Sequence, residues 1–165
     1  MRVLVAGVGN VLRGDDGFGV VVAQRLLAGR LPPEVTVIDV GIGGIHLVQE
    51  LFEPTDALVV VDAVDLGRPA GTVAVIRPDV CDVAAMTPME RHDRLADMHY
   101  ATPERALMLA RALAVLPPTA RVVGCQPAEG DQLGEGLSPA VAAAVDVAIA
   151  EIHTFVAGLG VRWPT

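Results

Sequence analysis

The amino-acid sequence predicts an α/β fold built on a five-stranded, mostly parallel, twisted sheet. Short, almost wholly apolar runs alternate with stretches of helical periodicity, and this alternation is typical of parallel sheets. Hydrophobic residues make up 52% of the 165 residues but aromatic residues only 3%, so the core must consist of valine, leucine, alanine and isoleucine. Such a composition favours buried parallel strands covered by helices, and the length suits one domain spanning residues 1–165.

The elements are expected in a simple order along the chain. Strands are predicted at residues 2–6, 35–40, 57–61, 72–76 and 121–125, and helices at residues 18–30, 45–52, 103–116 and 138–156. The link at residues 63–71 is too short to contain a crossover helix, so strand four should run antiparallel to strand three. Residues 78–102 show no regular pattern and are predicted to form a long loop, which in a compact domain is more often functional than idle.

Composition and charge exclude several classes of partner. The formal net charge is −8 and the pI is about 4.8, which argues against a nucleic acid or an anionic membrane surface. No uninterrupted apolar run approaches the roughly 18 residues that a membrane span needs. The two cysteines, Cys81 and Cys125, form no C-x-x-C motif, so neither a disulfide framework nor a zinc ribbon is indicated. We therefore expect a protein of the reducing cytoplasm.

The most distinctive stretch is the glycine-rich turn at residues 7–19, which follows the first strand and leads into the first helix. A dinucleotide-binding fingerprint would require a third glycine where this chain has Leu12, and a phosphate-binding loop would require a lysine, which the whole sequence lacks. Asp15 and Asp16 stand at the start of the helix, where they would repel a phosphate. The turn is therefore better suited to a cation than to a nucleotide.

Acidic residues follow the ends of three predicted strands. Asp15 and Asp16 come after strand one, Asp39 ends strand two and Asp62 ends strand three. Because the carboxyl ends of parallel strands meet at one edge of a sheet, these carboxylates should lie close together and favour a bound cation. The simpler interpretations are that Asp15 caps the helix and that Asp39 stabilises a turn. For Asp62 a functional role is favoured, because Asp65 is better placed to cap the turn that follows.

Two of the four histidines are candidate metal ligands. His92 and His99 lie in the long loop, from which an imidazole could complete an oxygen-and-nitrogen metal site, and the sequence barely separates them. His46 and His153 lie in helical segments among apolar residues and are assigned no role.

Side chains suited to nucleophilic catalysis are scarce. The only serine, Ser138, precedes a proline at a helix start and is interpreted as an N-cap, which excludes a serine triad. Cys125 is interpreted as a small buried side chain, because no neighbour in the sequence would activate its thiol. The H-E-x-x-H motif of many zinc proteases is absent as well.

Several motifs along the chain form one long and specific pattern. They are GVGN-x-L-x-x-DDG-x-G at residues 7–19, Asp39 with its glycine-rich turn, VVVDA at 59–63, a loop histidine ahead of the helix at Pro103, VGCQP at 123–127 and GLSPAV at 136–141. This pattern resembles the signature of the hydrogenase maturation endopeptidases, which trim the C-terminus of nickel-iron hydrogenase large-subunit precursors. The resemblance covers nearly the whole chain.

The resemblance implies a three-layer α/β/α domain with a metal site. The metal-binding acids of the family fall on Asp16 and Asp62, and the histidine falls on His99 if the helix at Pro103 fixes the alignment, with His92 as the alternative. Some family members carry glutamate at the first acid, so Asp16 has a shorter reach here. The implied metal is nickel, which in the family arrives with the substrate precursor, and other divalent metals are expected to substitute for it.

The function implied by the resemblance is metal-dependent removal of the C-terminal extension of a nickel-iron hydrogenase large-subunit precursor after nickel insertion. In this hypothesis the metal positions the scissile segment and polarises a carbonyl or a bound water. Asp39 is the candidate general base, and the turn at Asn10 is the candidate source of backbone donors for the developing oxyanion. The alternatives are a non-catalytic nickel-sensing or carrier protein and, on weaker grounds, a Rossmann-like nucleotide-binding domain.

Overall fold

The structure, a computed structural model, describes residues 1–95, 102–128 and 133–164. Its strands are β1 (Val3–Val8), β2 (Val35–Gly41), β3 (Ala57–Ala63), β4 (Val73–Ile76) and β5 (Thr119–Cys125). Its helices are α1 (Phe18–Leu27), α2 (Gly44–Glu50), α3 (Pro88–Leu95), α4 (Pro103–Ala112) and α5 (Pro139–Gly158). Short 3-10 turns precede α1, at Gly14–Gly17, and α3, at Val83–Ala85.

The five strands form one mixed sheet in the order β2-β1-β3-β5-β4. All neighbouring strands are parallel except β4, which pairs antiparallel with β5. This confirms the predicted fold class, including the reversed direction of strand four. Strand β4 does not lie beside β3, however, because β5 occupies that place. Just beyond one end of the β4–β5 pair, the N–H of Gln126 donates to the carbonyl of Thr72 over 2.9 Å.

Helices cover both faces of the sheet. Alternate residues of each strand point to opposite faces, so β1 contributes Val3 and Val5 to one core and Leu4 and Ala6 to the other. The first core is closed by side chains of α1 and α5, among them Phe18, Val22, Val141, Val145 and Ile152. The second core is closed by side chains of α2 and α4, among them Leu47, Val48, Ala106, Leu107 and Ala110. The result is the expected three-layer arrangement.

The prediction of a loop throughout residues 78–102 is wrong for residues 88–95, which form α3. Thr87 and Glu90 cap this helix reciprocally, since the N–H of Thr87 donates to Glu90 Oε2 over 2.9 Å and the N–H of Glu90 donates to Thr87 Oγ1 over 3.3 Å. Pro88 stands at the first helical position, which suits its fixed φ. The helix is almost entirely polar, so it lacks the apolar period from which a helix is usually predicted.

Three helices end earlier than predicted, and the end of α4 has a local cause. Helices α1, α2 and α4 stop at Leu27, Glu50 and Ala112, against predicted ends at residues 30, 52 and 116. After α4, Ala114 adopts a φ of 57°, which turns the chain into the left-handed conformation that terminates many helices. The N–H groups of Val115 and Leu116 then both donate to the carbonyl of Ala110.

Within the described residues, α5 is long and apolar enough to cross a membrane by length and composition alone. It contains 20 residues and its most apolar window has a mean hydropathy of 1.7. Core helices pass the same test, and here Val141, Val145, Ile152 and Val156 are buried against the sheet. One face of α5 is thus part of the core, and a third of the apolar window is buried.

Candidate active site

The glycines of the first turn bring α1 into direct contact with the ends of β1 and β3. A Cβ atom at Gly7 would lie 2.2 Å from the carbonyl oxygen of Gly19, and a Cβ at Gly19 would lie 2.0 Å from the carbonyl oxygen of Val61. Such distances are far below van der Waals contact, so only glycine allows this approach. Because Asp62 directly follows Val61 and Asp16 lies just before α1, this close packing brings the two carboxylates to the same place.

The turn between β1 and α1 holds Asp16 from its own backbone. The N–H of Asn10 donates to Asp16 Oδ2 over 3.0 Å and to the carbonyl of Asp16 over 3.2 Å. Gly9, with a φ of 137°, allows this arrangement, since a Cβ there would lie 1.8 Å from the same carbonyl oxygen. The carboxylate of Asp16 is fixed at one oxygen and otherwise faces solvent.

Asp62 is half-buried at the end of β3, beside Asp16. Burial and the negative charge of Asp16 raise the pKa of Asp62 from 3.8 to about 8, and a hydrogen bond from the backbone of Ala63 opposes that rise. The carboxyl group of Asp62 therefore holds a proton at neutral pH. A divalent cation between the two carboxyl groups would relieve their repulsion and displace this proton.

The two acids fit a divalent metal ion as a partial ligand set. Carboxylate oxygens are suitable ligands for hard and borderline cations, and two of them leave most coordination positions for other groups. Within residues 1–95, 102–128 and 133–164, no group of three or more histidine, cysteine, aspartate or glutamate side chains is arranged to hold a metal. A complete site on this protein therefore needs a ligand from elsewhere in the chain or from the substrate.

A cavity of about 410 Å³ opens beside Asp62 on the α4 face of the sheet. Its walls include Val122 of β5, Ile76 of β4 and Leu107 of α4, and Thr102 lies at its edge. This volume lies within the range of sites that bind small ligands, roughly 300–1,000 Å³. The cavity thus combines apolar walls with four acidic side chains, those of Asp62, Asp65, Asp79 and Glu104.

The sequence was compared with protein families and with solved structures. Residues 20–154 match the family model of the hydrogenase maturation proteases, HycI. The chain belongs to the hydrogenase maturation protease family. The protease is similar to the hydrogenase expression/formation protein HupD of Rhodobacter capsulatus, with 38% identity over 151 residues, 91% of this chain and 69% of HupD. It is also similar to HupM of Azotobacter chroococcum, with 35% identity over 161 residues, 97% of this chain and 74% of HupM.

Solved structures support the same assignment. The hydrogenase maturating endopeptidase HybD of E. coli superposes with a TM-score of 0.77 over 98% of this chain and 96% of HybD, and its 24% identity supports the fold alone. A hydrogenase 2 maturation peptidase from a Thaumarchaeota archaeon has a TM-score of 0.65 and 32% identity, and the match covers 97% of this chain and 99% of that one. The fold and the family expected from the motifs are therefore confirmed.

The structure brings together two of the three predicted metal ligands of the protease. Asp16 lies close enough to Asp62 for its charge to raise the pKa of Asp62. His99 lies outside the described residues. The alternative ligand, His92, is exposed on α3.

Asp39 takes part in a turn on the other side of the sheet. Its Oδ1 accepts a hydrogen bond of 3.0 Å from the N–H of Gly41, and its Oδ2 accepts one of 3.1 Å from Gln24 Nε2 in α1. Asp62, by contrast, lines the cavity on the α4 side. This geometry matches the turn-stabilising interpretation of Asp39. Its role as the general base stays a prediction.

Two backbone donors of the turn at Asn10 are already engaged within the turn, and its role as a source of oxyanion donors stays a prediction. The N–H of Asn10 is bonded to Asp16, and the N–H of Leu12 donates to Asn10 Oδ1 over 3.0 Å. Both groups are engaged inside the turn because they hold its shape. The hydrogen bonds of this turn therefore serve to fix Asp16.

Asp15 has a role that the sequence did not reveal. It is 3% exposed and does not cap α1, whose N-cap position is Gly17. Its carboxylate accepts hydrogen bonds from the backbone N–H of Ala128 and from the backbone and hydroxyl of Ser138. Ser138 stands at the N-cap position of α5 with Pro139 after it, as expected, but its hydroxyl donates to Asp15 and makes no hydrogen bond to its own helix. Because Asp15 and Ser138 are 123 positions apart, no spacing rule links them.

Cys125 is fully buried at the end of β5, in agreement with its interpretation as a small core side chain. Burial and the charge of Asp15 raise the pKa of its thiol to about 11. The thiolate is therefore scarce at neutral pH, which disfavours Cys125 as a nucleophile.

The two histidines that were assigned no role lie on helices. His153 packs against Trp163 with the ring centroids 4.2 Å apart, and burial lowers its pKa. His46 is exposed on α2.

Proposed function

We propose that this protease removes the C-terminal extension of a nickel-iron hydrogenase large-subunit precursor by metal-dependent hydrolysis in the cytoplasm, after nickel has been inserted into the precursor. The observation that carries the proposal is the pairing of Asp16 and Asp62 at the mouth of a cavity, in a chain of this protease family. A pair of acids without an activated serine or cysteine suits catalysis by a metal ion better than covalent catalysis.

In this proposal the nickel is part of the substrate. Asp16 and Asp62 supply two carboxylate ligands, and His99, or His92 as the alternative, supplies an imidazole. When bound, the ion acts as a Lewis acid for the scissile carbonyl or an attacking water. Other divalent metals are expected to bind the same oxygen and nitrogen donors, because the set has no strong geometric preference of its own.

The residues of the protease itself have separate roles in this proposal. Asp62 gives up its proton as the ion is engaged, since burial and the charge of Asp16 raise its pKa and a cation opposes both effects. Asp16 is oriented by the N–H of Asn10, which donates to its Oδ2. The cavity beside Asp62 accepts the chain next to the scissile bond and shields it from water.

The test is a cleavage assay with two forms of one precursor. A large-subunit precursor loaded with nickel and the same precursor without nickel are each mixed with the protease, and loss of the C-terminal extension is followed by mass spectrometry. We expect cleavage of the nickel-loaded form only. Equal cleavage of both forms would contradict dependence on nickel insertion.

The same assay separates the alternatives. A nickel-sensing or carrier protein would take up nickel from the precursor and leave its length unchanged. A nucleotide-binding protein would do neither and would bind labelled nucleotide. The acidic edge of the site and the absence of lysine disfavour this second alternative.

A further inference from the structure

The buried carboxylate of Asp15 joins the turn between β1 and α1 to the loop at residues 126–138. Its Oδ2 accepts hydrogen bonds of 2.9 Å from the N–H of Ala128 and of 2.9 Å from Ser138 Oγ, and its Oδ1 accepts one of 2.6 Å from the N–H of Ser138. Ala128 follows β5 and Ser138 precedes α5. One side chain of the first turn thus holds both ends of the loop at residues 126–138.

The same two loops are also joined by their backbones. The N–H of Gly14 donates to the carbonyl of Gly134 over 2.8 Å, and the N–H of Gly134 donates to the carbonyl of Leu12 over 3.0 Å. Both bonds involve residues just before Asp15 in the chain. The 3-10 turn at Gly14–Gly17 is therefore fixed on one side by the loop at residues 126–138, and no side chain caps it.

Asp15 and Asp16 are neighbours in this turn, but their side chains point in opposite directions. Asp15 is buried towards the loop at residues 126–138, and Asp16 is exposed towards Asp62. Asp15 and Asp16 share a peptide unit within a turn of four residues, so a backbone shift at Asp15 would also move the Cα atom of Asp16.

We propose that Asp15, with Ser138 as its partner, is a positioning residue that fixes Asp16 beside Asp62. Its kinetic consequence rests on the function proposed above, whereas its effect on the geometry of the turn does not. This role explains why the turn carries two acids, of which one is available to a ligand and the other is not.

Asparagine is the sharpest substitution at position 15. It has the shape of aspartate, but one of its two terminal atoms is an amide nitrogen, which donates. In either orientation the amide nitrogen would face a backbone N–H, of Ala128 or of Ser138. At Ser138, alanine removes only the hydroxyl, and threonine keeps it.

The experiment compares Asp15→Asn with Val145→Ala, a core substitution in α5 that lies outside the site. Cleavage of the precursor is measured below the melting temperature of both variants, and the amide resonance of Asn10 reports the position of Asp16. For Asp15→Asn we expect kcat to fall by about tenfold or more at a nearly constant KM, with a shifted Asn10 resonance. Val145→Ala should lower the melting temperature and change neither readout.

The Ser138 variants keep the test decisive if Asp15→Asn does not fold. Ser138→Ala should lower kcat by a smaller factor and shift the Asn10 resonance in the same direction. Ser138→Thr keeps the hydroxyl, so its kcat and its Asn10 resonance should match those of the parent protein. The proposal is overturned if Asp15→Asn or Ser138→Ala changes stability alone, with kcat and the Asn10 resonance as in the parent protein. If the parent protein fails to cleave the precursor, the proposed function fails, and the Asn10 resonance alone still decides whether Asp15 positions Asp16.

Discussion

The chemistry of this site depends on two carboxyl groups with different environments. Asp16 is exposed and accepts a hydrogen bond from a backbone N–H. Asp62 is half-buried, and burial and the charge of Asp16 raise its pKa to about 8. A divalent cation can therefore be bound here with release of a proton.

The raised pKa of Asp62 predicts how stability depends on pH. Between pH 3.8 and about 8 the folded protein holds a proton on Asp62 that the unfolded chain does not hold. The free energy of unfolding should therefore fall as the pH rises through this window, by up to about 1.4 kcal/mol per pH unit. Asp62→Asn should remove this contribution, which is measured by urea denaturation of both proteins, without metal, from pH 5 to 9. Parallel curves of unfolding free energy against pH for the parent protein and Asp62→Asn would contradict the raised pKa. The control is Asp146→Asn, on the exposed surface of α5.

The two histidines in the segment at residues 78–102 give a second prediction. His99→Ala should abolish cleavage of the nickel-loaded precursor, because it removes the only nitrogen ligand assigned to the site. His92→Ala should cleave normally, since His92 is exposed on α3. Steady-state cleavage rates of the two variants check this. The opposite pattern would move the ligand to His92.

Asp39 can be tested by a substitution that separates its two roles. Asp39→Asn keeps the acceptor for the N–H of Gly41 and the ability to pair with Gln24, but it cannot accept a proton. Retention of cleavage would identify Asp39 as a turn residue. A loss of kcat by about 100-fold or more with unchanged stability would identify it as the general base.

At the scale of elements, the site depends on how closely α1 approaches the sheet. Gly19→Ala would place a Cβ atom 2.0 Å from the carbonyl oxygen of Val61 and 2.3 Å from that of Val8. Because both neighbours are backbone atoms, α1 must move away, and we expect a loss of roughly 3 kcal/mol or more in the free energy of unfolding. Gly158→Ala at the end of α5 is the matched control.

A Cβ atom at Gly158 meets no other atom within 4 Å. This variant should be as stable as the parent protein or slightly more stable, because alanine favours the helix by up to about 1 kcal/mol over glycine. Urea denaturation of the two glycine variants makes the comparison. Equal stability of the two would show that the close packing of α1 has been misjudged.

The elements themselves were largely predictable from the sequence. The strands are apolar and bounded by glycine, proline or acidic residues, so their positions followed from local pattern, and so did the helices that have an apolar face. Helix α3 was missed because its residues are mainly polar, although Thr87 and Glu90 carry the signal of a capping box. The placement of β4 beside β5 was missed because a short link fixes the direction of a strand but does not determine which strand it pairs with.

At the scale of the whole molecule, the parts of the site that the sequence revealed are those that follow strand ends. Asp16 and Asp62 were predictable because topology alone brings strand ends together. The contact of Asp15 with Ser138 was not, since it depends on how the loop after β5 returns across the sheet edge. The family motifs placed both residues in the pattern but did not show that they touch.

The burial of β5 gives a prediction for the two thiols. Cys81 is exposed and Cys125 is fully buried with a pKa of about 11. In the native protein one thiol should react rapidly with Ellman's reagent, and the second should react only after unfolding in urea. Rapid reaction of both native thiols would contradict the packing of β5. Cys81→Ser should abolish the rapid phase.

The central claim is that Asp16 and Asp62 together engage one divalent ion for peptide hydrolysis. Its most direct test is the rate of cleavage of a nickel-loaded precursor by Asp16→Ala, Asp62→Ala and the control Asp146→Ala, with folding of each variant checked by circular dichroism. The account predicts that both site variants are folded and lose cleavage, whereas Asp146→Ala cleaves as the parent protein does. Cleavage at the parental rate by a folded Asp16→Ala or Asp62→Ala variant would contradict it.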